Sequence, residues 1–205
     1  TGVIIAIAGP VWGQTVRPEN GEKQGRPIRG GVLFEFDRAA LNSLGWEAVV
    51  RGDGDSEEGS SRLNSAIQST SSLEIDRVAG VFHDISTARI GTHGAVLFTD
   101  GGRRVVIGNF SIIKNADGPW TVRDGLTENP TGRVVFELSS VTIDAPAGGQ
   151  EPRIAGELTI AESWAVEVGI PQGRGTVVGR VLVTAQPLDA EPAGLDAAQA
   201  VLSQT

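Results

Sequence analysis

The chain of 205 residues has no cysteine, methionine or tyrosine, and it has only two histidines. Without cysteine there is no disulfide framework, no thiolate zinc site and no cysteine nucleophile. His83 and His93 are the whole supply of imidazole, which leaves general acid–base chemistry few agents. Lysine is almost absent as well, with Lys23 and Lys114 against fifteen arginines. The formal net charge is -8 and no run of Lys and Arg forms a basic stripe, so nucleic acid is not an expected partner. No apolar run is long enough for a transmembrane helix, and none is expected. Hydrophobic residues at 40% and charged residues at 20% still describe an ordinary folded domain rather than a disordered polyelectrolyte.

Glycine is what the chain has in plenty. Its 28 Gly and 10 Pro punctuate short apolar runs, the pattern of an all-β protein. Residues 16–30 (VRPENGEKQGRPIRG) read as a polar arm, and GVLFEFD (31–37) puts Val32, Phe34 and Phe36 on one strand face. Asp37 and Gly45 bracket a short helix, and Leu63 and Ile67 suggest a second one over 61–68. Strands follow over 72–82 and 95–113, the latter a hairpin turning at Asp100-Gly101, and again over 120–124. Over 132–144 the parity changes between Leu138 and Val141, which a bulge at Ser139-Ser140 would repair. The alternation of RIAGELTIAESWAVEVG (153–169) predicts one long half-buried strand, and GTVVGRVLVTA (175–185) a more central one. A terminal helix fits LDAAQAVLSQ. The expected fold is therefore an all-β antiparallel sandwich, jelly-roll-like, with one or two short helices in its connections. Its organisation reads as an N-terminal apolar strand and arm (1–30), a sandwich domain (31–186) and a tail or short helix (187–205).

Catalytic patterns fail one by one. Gly54-Asp55-Ser56 has the form of a lipase-type nucleophile block, but it sits among Glu57 and Glu58, which would oppose an oxyanion. Glu157, Glu162 and Glu167 fall too far along one strand to act as a catalytic carboxylate pair. His83, Asp84 and His93 would have to meet across a hairpin to hold a metal. The glycines of GRGTVVG (173–179) precede no helix and make no phosphate cradle. The one candidate cation set is Asp53, Asp55, Glu57 and Glu58, hard oxygens on a Gly-rich loop such as calcium takes. They lack EF-hand spacing and read first as a solvated acidic loop. No enzyme, and no cofactor beyond that calcium, is expected.

The clearest functional pointer is the opening TGVIIAIAGPVWGQ. It fits a leader remnant, a strand of the chain's own sheet, or a donor strand. In the last reading Val3, Ile5 and Ile7 form one bulky face beside Gly9-Pro10 and a polar arm, ready to insert into a neighbouring copy. Repeated head to tail, that contact builds a fibre. The expected function is an extracellular or cell-surface structural β-domain that self-assembles into a filament or matrix. The alternative is a secreted module binding surface glycans or a small ligand, with Trp12, Trp46 and Trp120 as sugar platforms and Trp164 in the core.

Overall fold

The computed structural model describes residues 25–51, 60–78, 81–126, 132–144 and 152–188. In chain order these form β1 (Arg26–Phe36), α1 (Arg38–Ser43), β2 (Glu47–Arg51), β3 (Arg62–Ala66), β4 (Ser72–Val78), β5 (Val81–Gly91) and β6 (Ala95–Asp100). There follow β7 (Arg103–Gly108), β8 (Ser111–Lys114), β9 (Trp120–Asp124), β10 (Arg133–Asp144), β11 (Arg153–Ile160), α2 (Glu162–Glu167) and β12 (Val177–Pro187). The chain is nearly all β and its ladders are antiparallel, as the punctuation pattern implies. The sandwich, however, gives way to a closed sheet. Strands β12, β11, β10, β9, β8, β5, β4 and β1 follow one another, and β1 pairs back onto β12 to complete an eight-stranded barrel. Strand β3 flanks β1 outside that ring, and β2, β6 and β7 form a separate three-stranded sheet.

Closure rests on the length of β1 and on one glycine. Its first two residues pair with β4 (Arg26 with Leu73, Pro27 with Ser72), and Gly31 to Glu35 pair with β3 on the same side. Along its other edge Ile28 to Phe36 pair with β12. Gly30 lies where β1 leaves β4 for β3. Its φ is +141°, and a Cβ there would stand 2.0 Å from the Thr184 carbonyl oxygen, so only glycine makes the crossing. The Pro and Gly that mark residues 16–30 as an arm are thus, from Arg26 onward, the corner of a strand. A closed barrel leaves few unpaired edges to recruit foreign strands.

Several local expectations hold. Asp37 caps α1, its carboxylate accepting from the Ala39 and Ala40 amides at 2.8 and 3.1 Å. The β6–β7 hairpin turns at Gly101 with φ +50°. In β10 the register shifts between Ser139 and Thr142, and Ser140 has φ +49°, which is the bulge the parity change demands.

Two expectations fail for physical reasons. Residues 61–68 are not a helix: Arg62–Ala66 is β3, paired to β1. A spacing of four brings Leu63 and Ile67 to one face in a strand as well as in a helix, so the pair does not discriminate. The long strand over 153–169 ends at Ile160 and turns at Ala161 into α2. Trp164 remains core from that helix, whereas Val166 is 63% exposed instead of buried.

The core runs through both sheets. Phe36 of β1 meets Phe98 of β6 and Phe136 of β10, and Trp46 packs edge-on against Phe98. Trp164 of α2 contacts both Phe98 and Phe136 at 5.5 and 5.3 Å between ring centroids. These edge-to-face contacts fix the small sheet and α2 against the barrel. Buried Asp124 ties the β7–β9 corner by accepting from the Gly108 and Leu126 amides and from Arg133. Among the described residues no helix is long and apolar enough to cross a membrane.

Candidate association surface

Alternation along β1 sends Phe34 and Phe36 inward and leaves Leu33 and Glu35 on the outer wall. Register then decides who their neighbours are. Glu35 lies opposite Arg62 on β3 and opposite Arg180 on β12; Arg180 lies opposite Glu157 on β11; Glu157 lies opposite Ser139 on β10. Five strands therefore carry one transverse row reading Arg62, Glu35, Arg180, Glu157, Ser139. Its four charges alternate in sign and sum to zero.

The row is bonded along its length. Glu35 Oε1 accepts from Arg62 Nε at 2.8 Å and pairs with Nη2 at 2.6 Å. Its Oε2 accepts from Arg180 Nε and Nη2, both at 2.5 Å. The hydrogen bonds from Arg62 and then Arg180 hold the Glu35 carboxyl below the usual glutamate value of 4.5, against an opposing contribution from burial. Glu157 Oε2 accepts from Ser140 Oγ at 2.8 Å and Ser139 Oγ at 3.3 Å, so the bulge supplies two hydroxyls to one carboxylate. The arginines themselves stand in water, with Arg62 63% and Arg180 73% exposed. Ion pairs so exposed contribute only about 0–1 kcal/mol to folding. Stability alone is a weak reason for such a row.

One step along the strands lies a different row. Leu33 is opposite Asn64 and Leu182, and Leu182 is opposite Ala155. Leu182 is 40% exposed. Two adjoining clefts of about 550 and 410 Å³ open on this wall, both lined by Glu35, Glu157 and Arg180. The larger reaches Asp37 and Ser61 at the polar end, and the smaller reaches Leu33 and Leu182. The arrangement brings charge, hydroxyls and a strip of apolar surface together on one wall.

Of the residues singled out from sequence, Glu157 lies in this row with Ser139 of the expected bulge, and the others lie elsewhere. Val3, Ile5, Ile7 and Trp12 fall outside the described residues, as do Asp53, Asp55, Glu57 and Glu58 of the acidic loop. Trp46 and Trp120 are buried, so neither offers a sugar platform. His83 and His93 do not face each other across a hairpin: His83 is near the start of β5 and His93 just beyond its end. Glu162 and Glu167 belong to α2, bonded to Arg174 and Arg133, away from Glu157. Among the described residues no three His, Cys, Asp or Glu are grouped to hold a metal ion. The row as a set is not legible in the sequence, where Glu157 reads as part of a solvated face, Ser139 as part of a bulge and the others as the ordinary polar residues of half-wet strands. Only register makes them a set.

No protein-family model and no curated protein matches the chain. Among solved structures it is similar to the C-terminal domain of HtaA from Corynebacterium glutamicum, at 16% identity with a TM-score of 0.49, over 78% of this chain and 98% of that one.

Proposed function

We propose that the chain is a non-catalytic structural β-barrel that associates with copies of itself through the outer wall of β3, β1, β12, β11 and β10. The observation that carries this reading is the neutral row of alternating charge lying directly beside the apolar row of Leu33 and Leu182. An apolar strip beside a charge-balanced row offers a second copy both apolar burial and charge complementarity. This keeps the self-assembling class expected from the opening stretch and moves the contact from an inserted strand to a sheet face.

Sedimentation equilibrium of the full chain tests it. The wild type should self-associate. Leu182→Glu, which puts an unpaired carboxylate into the apolar row, should lower the association constant by at least tenfold. Val106→Glu, on the separate three-stranded sheet and 51% exposed already, should leave it unchanged. A wild type that stays monomeric at every concentration overturns the reading. So does association that survives Leu182→Glu and disappears on removal of residues 1–13, which would put the contact in the N-terminal strand.

A further inference from the structure

Resting on that reading, we infer that the association is a closed twofold pair in which Arg62 faces Glu157 of the second copy and Glu35 faces Arg180 of the second copy. The argument is symmetry applied to the row. When two sheets pack face to face, their strand directions stay within about 30° of each other. A twofold axis parallel to the strands, passing between β1 and β12, maps each strand onto the one equally far on the other side. Strand β1 then covers β12 of the second copy, and β3 covers β11.

Under that operation every charged position meets its opposite. The row runs plus, minus, plus, minus, and a sequence of that form reversed upon itself is complementary at all four places. Leu33 meets Leu182 and Asn64 meets Ala155 in the neighbouring row. One outward row further, Ala66, Gly31, Thr184 and Arg153 face one another with no like charges opposed. An axis running along the row sets each charge against its own copy, and an axis centred on β1 sets Glu35 against Glu35. The placement centred between β1 and β12 sets all four charges of the row against opposite charges.

The groups also have bonding capacity left. A guanidinium carries five N–H donors, and Glu35 engages two of them on each arginine, leaving the others for a facing carboxylate. Glu157 uses Oε2 for both serine hydroxyls, and its Oε1 has no hydrogen bond among the described residues. The β1–β12 pairing at the centre of the contact runs nine residues, about 30 Å, with β3 on one flank and β11 on the other. An isologous contact of this kind closes at two copies, so it does not by itself propagate the filament that a donor strand would build.

The test is charge exchange read by native mass spectrometry on the full chain. Arg62→Glu alone and Glu157→Arg alone each set like charges face to face and should be monomeric under conditions where the wild type is dimeric. Their equimolar mixture should form a heterodimer, because each altered residue then meets its complement on the other chain. The double variant Arg62→Glu/Glu157→Arg should pair with itself again, and thermal melts of all three confirm that they fold. Homodimers persisting in both single variants, no heterodimer on mixing, or growth beyond two copies would overturn the twofold pairing while self-association itself stood. A monomeric wild type would remove both.

Discussion

At the scale of single residues, Glu35 shows how little of a side chain's role its type reveals. In GVLFEFD it is the polar residue that a half-buried strand requires, and nothing distinguishes it from Glu157 in GELTI. What singles it out is the pair of guanidinium groups that register brings to its two oxygens. Those bonds lower its pKa in the folded chain, Arg62 acting most strongly. A carboxyl with a depressed folded pKa stabilises fully above the ordinary value near 4.5 and loses that contribution as pH falls through the lowered one. Glu35→Gln should therefore be less stable than wild type at neutral pH. The gap should narrow on acidification below the ordinary glutamate range and close once the wild-type carboxyl is protonated. Thermal melts across that range check the sign: a gap that widened at low pH would show that the arginines do not hold the charged form.

At the scale of elements, the sequence was readable wherever period and chemistry agreed. Asp37 before an apolar stretch, Asp100-Gly101 between two alternating runs, and the parity break at Ser139-Ser140 each allow one physical answer, and each appears in the structure. It misled where two structures share one pattern. Leu63 and Ile67 sit on one side of either a helix or a strand, and the alternation from Arg153 to Gly169 continues through a turn at Ala161 into α2. The bulge is the element with most consequence for the outer wall, since it re-phases β10 and also presents both hydroxyls to Glu157. Ser140 holds that bulge at φ +49°, a conformation that a β-branched side chain adopts only under strain, so Ser140→Val opposes the bulge at its own residue. That strain costs about 1–3 kcal/mol. The midpoint of thermal unfolding should fall by about 5 °C. An unchanged midpoint would mean that the bulge does not depend on the backbone conformation at Ser140.

At the scale of the whole molecule, closure is what sequence could not deliver. All-β character and antiparallel pairing follow from glycine punctuation and alternation, but no local signal says that β1 and β12, about 150 residues apart, are neighbours. The candidate surface depends on that contact, for without the β1–β12 ladder Glu35 and Arg180 never meet and Leu33 never lies beside Leu182. This is why local sequence patterns point to the terminal strand, the acidic loop and the tryptophans, whereas the barrel displays a patch assembled from five separated segments. The ring pairs its own strand edges internally, which is why the proposed contact uses a face of the wall rather than an edge.

The absence of cysteine makes the most direct test simple, because one introduced cysteine carries a spin label at one place only. Thr184 lies on β12 beside the inferred axis, opposite Gly31, and Val106 lies on the separate small sheet. Pulsed dipolar spectroscopy of Thr184→Cys and Val106→Cys chains, each labelled and concentrated, measures the distance between copies. Face-to-face pairing through the outer wall predicts a short, well-defined distance for the Thr184 label and a markedly longer one for Val106. No coupling between Thr184 labels, or a shorter distance between Val106 labels, would contradict it.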